Sequence, residues 1–290
     1  MTGTVAYIQN TLKDYYPPSE IKAFIRLIME RVCDIQPHQF LLCKDKELSE
    51  KEKTQIYNIV ERLVKYEPIQ YIFGKTDFYG FEFLVNPSVL IPRPETEELV
   101  ELIVHDYAKK SIDILDVGTG SGCIAITLRR LLKKAQVSAL DISPEALKIA
   151  KRNAGINRVQ LTFYEKDILQ PSKTADSIED EFDVIVSNPP YVMEKEKAEM
   201  EKNVLDYEPS LALFVPDDNP LLFYNNIARF AEQKLKKKGY LYFEINAQMG
   251  EAVVNMLRMM EFKNVELIQD LTGKDRFVKA QTWNLSLIHI

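Results

Sequence analysis

From about residue 112 to residue 280 the chain alternates short apolar runs with helix-patterned stretches, and this alternation restricts the fold more than any other feature. Strand candidates fall at 112–117, 137–140, 159–164, 182–187 and 240–245. Helical periodicity follows the first of these to about Lys134, then recurs from Pro144 to about Asn153, over 221–236 and over 248–260. Pro144 suits the first turn of its helix. The lysines that end 221–236 suit the negative end of a helix dipole. Segments 265–269 and 276–280 read as a closing hairpin. Parallel neighbours need long crossovers, so strand–helix alternation predicts a mostly parallel, doubly wound α/β sheet.

Ahead of residue 75 the pattern differs. Ile21, Phe24, Ile25, Ile28 and Met29 form one helical stripe, and Ile56, Ile59, Val60 and Leu63 form another. Ser19 and Ser49, each followed by a glutamate, are cap candidates, and Pro17, Pro18 and Pro37 punctuate. Residues 1–75 are therefore expected to form a small helical domain. Phe78, Tyr79, Phe81, Phe83 and Val85 around Gly80 predict a β-hairpin linker over 76–91. The α/β domain then occupies 92–282. The tail 283–290 shows neither caps nor pattern.

Two domains suit 290 residues. A content of 46% hydrophobic and 28% charged residues argues against a disordered chain. No apolar run approaches the roughly 20 residues of a membrane span. The first residues carry no export signal. Cys33, Cys43 and Cys123 lack metal-ligand spacing, and the three histidines are scattered. A reduced, cytoplasmic protein without a metal site is expected.

The first strand candidate runs into Asp116-Val117-Gly118-Thr119-Gly120-Ser121-Gly122 and then a helix. Glycines allow sharp turns and close backbone approach to a ligand. In open α/β sheets such loops lie at the ligand-binding end. The spacing is G-x-G-x-G, not the G-x-G-x-x-G of dinucleotide sites, and an acid precedes it. S-adenosylmethionine has no pyrophosphate to cradle, and its charged amino-acid end calls for a carboxylate such as Asp116. Asp141 ends the second strand, 23 residues after Gly118, where an acid can accept both ribose hydroxyls. Asp167 is expected to close the third strand and to face the adenine end. A generic nucleotide fold stays open at this point.

The fourth strand runs into Ser187-Asn188-Pro189-Pro190-Tyr191. Two prolines fix the backbone and hold Asn188 extended. An amide-like nitrogen is a weak nucleophile because its lone pair is delocalised. The Asn188 side-chain oxygen and the Pro189 carbonyl are suited to accept both of its N–H bonds. Tyr191 can stack on a flat substrate group. Transfer of a sulfonium methyl needs no strong base, so positioning and electrostatics supply the catalysis.

Asn-Pro-Pro-Tyr after a fourth strand resembles the methyltransferases of adenine N6, cytosine N4 and glutamine N5. Other segments narrow the likeness: Pro68-Ile69-Gln70-Tyr71-Ile72-Phe73-Gly74, Phe78-Tyr79-Gly80, and Val89-Leu90-Ile91-Pro92-Arg93-Pro94-Glu95-Thr96-Glu97. Further on come Tyr207-Glu208-Pro209, Leu211-Ala212-Leu213 and Asp270-Leu271-Thr272-Gly273-Lys274-Asp275-Arg276. As an ordered set over about residues 15–280 they resemble the bacterial release-factor glutamine methyltransferases of the HemK/PrmC type. The resemblance implies a helical domain that docks the protein substrate, a hairpin linker and a Rossmann-like S-adenosylmethionine-dependent methyltransferase sheet. It implies N5 methylation of the glutamine in the Gly-Gly-Gln loop of peptide-chain release factors. By position, Asp116, Gly118, Thr119, Gly120, Ser121, Gly122, Asp141, Asp167, Ile168 and Asn188 would meet the cofactor. Asn188, Pro189, Pro190 and Tyr191 would hold the glutamine, with Arg93 and Glu95 shaping the substrate entrance. Family members often place an aromatic where this chain has Ile168, so adenine would meet an aliphatic face. Ser121 is a small change in the loop.

Charge bears on the rival readings. Residues 1–75 carry 11 Lys and Arg against 10 Asp and Glu, and the remainder 26 against 33. Backbone binding to nucleic acid usually shows a basic face. An N6-adenine methyltransferase would use the same Asn-Pro-Pro-Tyr site on a flipped base, but the acidic half argues against it. A ribosomal-protein glutamine methyltransferase stays open. The glycine spacing and Asn188-Pro189-Pro190-Tyr191 argue against a nucleotide-dependent dehydrogenase, and with both halves of the site intact, against a non-catalytic binding module.

Overall fold

The computed structural model describes residues 1–40 and 46–283. Cys43 and all of the tail except Trp283 lie outside them. The chain divides into two compact units, Met1–Phe73 with Glu201–Tyr207, and Gly74–Met200 with Glu208 onward.

The first unit contains helices α1 (Thr2–Leu12), α2 (Pro18–Cys33), α3 (Glu50–Val64) and α4 (Ile69–Phe73). Both apolar stripes foreseen on α2 and α3 are buried, and they pack with Ile8 and Leu12 of α1. Ser49 caps α3 through a capping box: its hydroxyl accepts from Glu52 N at 3.2 Å, and the Glu52 carboxylate accepts from Ser49 N at 2.7 Å. Ser19 does not cap α2. That helix starts on Pro18, two residues before a Ser19 cap would start it, with Pro17 as its uncapped N-cap. The later segment is tied into this unit by the Tyr207 hydroxyl, which donates to Lys65 O at 2.9 Å.

The second unit opens with the hairpin β1 (Lys75–Phe78) and β2 (Phe81–Leu84). Its two turn residues, Tyr79 and Gly80, have φ of 50° and 74°. Paired positive φ gives a hairpin turn whose twist matches its strands. Then follow α5 (Pro94–Tyr107), β3 (Asp113–Val117), α6 (Cys123–Leu131), β4 (Gln136–Asp141), α7 (Pro144–Ile156) and β5 (Thr162–Glu165). Next come α8 (Pro171–Asp176), β6 (Phe182–Ser187), the two-residue strand β7 (Val192–Met193), α9 (Lys202–Leu205) within the first unit, and β8 (Phe214–Val215), paired with β7. The chain ends with α10 (Leu222–Lys234), β9 (Leu235–Glu244), α11 (Gly250–Met259), β10 (Lys263–Gln269) and β11 (Asp275–Gln281).

Seven strands form one sheet in the order β10-β11-β9-β6-β3-β4-β5. It is parallel except for β11, which runs antiparallel to both neighbours. Side chains alternate along each strand. Leu115, Ile185 and Leu241 face one apolar layer, and Ile114, Val184 and Tyr242 face the other. From β3 the chain steps outward through β4 to β5, then returns to β6 on the other side of β3. This reversal is the switch point at which doubly wound sheets open a crevice.

Helix α10 ends at Lys234, and β9 starts at once on Leu235. Lys236 therefore does not serve the helix dipole. Its ammonium bridges Asp113 at 2.5 Å and Asp183 at 2.9 Å, joining three strand starts. The periodicity showed none of α8, β7 and β8, which span six, two and two residues. Segments so short carry too few apolar positions for a period to register.

Candidate active site

Val117 and Ser187 end β3 and β6 as direct neighbours in the ladder. The glycine loop and the Asn-Pro-Pro loop therefore leave the sheet side by side. The Ser187 hydroxyl donates to Val117 O at 2.7 Å and ties the two starts together. Both loops open on a cavity of about 350 Å³, within the usual size range for a small-ligand site. Its wall includes Gly118, Thr119, Gly120 and Ser121 from one loop, and Asn188, Pro189 and Pro190 from the other. Asp141, Asp167 and Ile168 also line it, as do Arg93 and Thr96.

Gly118 and Gly120 have φ of 73° and 54°. A Cβ built on either meets nothing within 4 Å, so the loop leaves open space where side chains would stand. The backbone amides of Gly118 and Thr119 donate to Leu140 O at 2.8 and 3.0 Å, pinning the loop to β4. Asp141 accepts from Gly120 N at 2.8 Å through one oxygen and from Ser143 N at 2.9 Å through the other. Burial raises its pKa, and these backbone bonds oppose the rise. Asp167 lies two residues beyond β5, not at its end. Its carboxylate accepts from Leu169 N at 2.9 Å, and Ile168 beside it is buried.

Some expected residues are placed otherwise. Gly122 does not line the cavity. It is the N-cap of α6, with φ of 83°, and an added Cβ would stand 2.9 Å from Ile126 Cδ1 and 3.2 Å from Ala150 Cβ, so it is a close-packing glycine between helices. Asp116 is also outside the wall. One of its oxygens accepts from the Thr119 hydroxyl at 2.6 Å and from Ala125 N at 3.2 Å, capping α6 from the strand. The other oxygen is buried without a partner. Burial pushes this carboxyl up to about 7. Glu95, on the first turn of α5, does not reach the cavity wall, and neither does Tyr191. The Tyr191 hydroxyl instead faces Glu244 at 3.4 Å, and burial raises its pKa well above the ordinary range.

Three buried residues were missed from the sequence. Glu208, at 5% exposure, accepts from Ile91 N at 3.1 Å and pairs with Arg93, so it clasps the proline-rich wall. Thr96 and Glu244 are each 2% exposed; the Thr96 hydroxyl donates to Glu244 at 2.7 Å, and Asn188 Nδ2 donates to Thr96 at 3.2 Å. Burial pushes the Glu244 carboxyl up to about 7, against the Thr96 hydrogen bond and the charge of Arg276. Glu244 ends a strand just as Asp141 does, and that position was the available signal. The other acids of the same stretch brace structure: Glu97 accepts from Tyr79 N at 2.6 Å and Glu98 from Leu271 N at 3.0 Å.

The chain is 48% identical to the release factor glutamine methyltransferase of Bacteroides thetaiotaomicron, covering 97% of this chain and 99% of that protein. It belongs to the release factor glutamine methyltransferase family. The protein of the same name from Flavobacterium psychrophilum is 46% identical over 93% of this chain and 94% of its own length. The PrmC N-terminal domain model matches residues 4–74 of this family member, and the methyltransferase small domain model matches residues 95–206. A methyltransferase from Pyrococcus furiosus shares the fold at 16% identity, with a TM-score of 0.53, over 78% of this chain and 99% of that one. The fold is that of S-adenosylmethionine-dependent methyltransferases. Among the described residues no helix is long and apolar enough to cross a membrane, and no cluster of His, Cys, Asp or Glu could hold a metal.

Proposed function

We propose that this enzyme transfers a methyl group from S-adenosylmethionine to the side-chain amide nitrogen of the glutamine in the Gly-Gly-Gln loop of peptide-chain release factors. The observation that carries the reading is the single cavity shared by the glycine loop and the Asn-Pro-Pro loop, in a chain with relatives of that name.

The residues fit the cofactor. The open cradle before Gly118 and Gly120 admits close backbone approach. Asp141 and Asp167 are acceptors on the same wall, with Ile168 as the apolar face for adenine. One Asp116 oxygen stands behind the loop without a protein partner. Bound there, S-adenosylmethionine would supply an activated sulfonium methyl. Asn188 Oδ1 and the Pro189 carbonyl would accept the two N–H bonds of the glutamine amide and aim its nitrogen, while the apolar walls exclude water. No residue needs to act as a strong base. Asp116 and Gly122 act through the loop rather than on the ligand, and Tyr191 acts from behind Asn188. Arg93 shapes the substrate entrance with Glu208.

The near-neutral helical unit offers shape and apolar contact to a protein substrate, which includes the exposed rings of Tyr15 and Tyr57. Contacts away from the reacting loop raise its effective concentration at the site. A cytoplasmic setting belongs to the same reading, because release factors act in translation.

The test is incubation with methyl-labelled cofactor and, separately, a release factor, ribosomal protein, tRNA and DNA. Label on the release-factor glutamine is the expected result. Label on adenine, or on the ribosomal protein alone, would overturn the reading.

A further inference from the structure

The side-chain amide of Asn188 has two ends of similar shape, one a double donor and the other an acceptor. Only the oxygen end can receive a substrate N–H. Which end faces the cavity must therefore be decided by what Asn188 touches behind it. That contact is Thr96, whose hydroxyl owns a single proton. Thr96 gives it to Glu244 at 2.7 Å, because an ionised carboxylate can only accept. Its oxygen is left to accept from Asn188 Nδ2 at 3.2 Å. The Asn188 oxygen is then turned away from Thr96.

We propose that Glu244 is a positioning residue: through the Thr96 hydroxyl it dictates which end of the Asn188 amide faces the substrate. This rests on the reading of Asn188 as acceptor for the substrate amide. Tyr191 supports the carboxylate from the same loop as Asn188, facing its second oxygen. The other groups that face Glu244 are Arg276 on β11 and Glu95 on α5, with Tyr224 on α10 and Cys123 on α6. Protonated, Glu244 could donate to Thr96. The Thr96 proton would then be free for Asn188, and the amide would lose its preferred orientation. Turnover should therefore fall on acidification through about pH 7, where burial places this carboxyl.

The experiment measures turnover of a release factor across pH, with calorimetry of cofactor binding, for Glu244→Gln, Thr96→Val, Thr96→Ser and the Glu244→Gln/Thr96→Val pair. Both single changes should lower kcat at least tenfold, leave cofactor affinity within about twofold, and remove the acid limb of the kcat profile. Thr96→Ser should recover most of the loss. The pair should be no slower than the worse single variant, since residues of one network are not additive. Parental turnover by Thr96→Val, or multiplicative losses in the pair, would overturn the relay. Should Thr96→Val fail to fold, the near-isosteric Glu244→Gln decides by the limb: its persistence would overturn the proposal. Asn188→Ala separates the two ideas. If it is inactive while Thr96→Val is normal, only the relay fails; if it stays active, the reading of Asn188 itself fails.

Discussion

The loop after β3 turns on glycines at positive φ, whereas the loop after β6 turns on two prolines. They leave the sheet as neighbours and face one cavity, yet they present opposite chemistry. The glycine loop offers backbone and empty space, with its side chains turned back: Thr119 bonds to Asp116. The proline loop offers one side chain, Asn188, and anchors it on residues 92 and 56 positions away in sequence, directly at Thr96 and through it at Glu244. Behind each loop sits one buried acid raised to about 7, Asp116 in one case and Glu244 in the other. The glycine loop is held through its own backbone amides, by Leu140 and Asp141 of the adjacent strand. A loop that presents one oriented group depends on distant residues.

The largest expected effect separates chemistry from binding. Asn188→Ala should lower turnover about 100- to 1,000-fold, the loss seen when one preorganised polar group is removed from a reacting centre. Cofactor affinity should stay nearly intact. Methylation close to the parental rate would show that the proline loop is a rigid turn and nothing more.

A second effect compares the acids. Asp116 keeps its proton in the folded protein up to about pH 7, but releases it near 4 when unfolded. A raised folded pKa stabilises below the unfolded value, and that contribution is lost as pH rises from about 4 to about 7. At about 1.4 kcal/mol per pKa unit, the loss is a few kcal/mol at most. Asp116→Asn should flatten this part of the stability–pH curve in denaturant titrations while leaving the kcat–pH profile in place. Equal slopes in parent and variant would remove Asp116 as the source.

The glycine loop can be divided further. Asp141→Ala should weaken S-adenosylmethionine by about 1–3 kcal/mol, the usual cost of leaving buried polar groups unpaired, which calorimetry would read directly. Gly122→Ala should instead lower stability by about 1–3 kcal/mol through crowding against Ile126 and Ala150, with affinity per folded molecule unchanged. Loss of affinity without loss of stability in Gly122→Ala would return that residue to the cavity wall. The smallest effect belongs to the tie between the loops. Ser187→Ala removes one buried hydrogen bond to Val117 O and should cost about 1 kcal/mol of stability, with turnover changed by only a few-fold.

The order of the longer strands and helices, and the places of Gly118, Gly120, Asp141 and Asn188 on the loops that line the cavity, were legible because they are local. A glycine run after a strand, an acid at a strand end and a proline pair each carry their own backbone geometry. The stripes on α2 and α3 were legible for the same reason, since burial follows the helical period. What the sequence left open is which groups stand behind the loops. Gly118 and Gly122 look alike in the chain, but one faces open space and the other faces Ile126 and Ala150. Glu95 and Thr96 are adjacent on a helix, so a turn of about 100° puts Thr96 against Asn188 and keeps Glu95 off the wall. Asp116 looked like a ligand acid and instead caps α6. The alternation of the chain thus determined the sheet and the ends of its strands, because side-chain period and backbone preference act over a few residues. The orientation of Asn188 was decided only when α5, β6 and β9 came together, because a hydrogen bond between buried groups exists only where folding has brought both partners within about 3 Å.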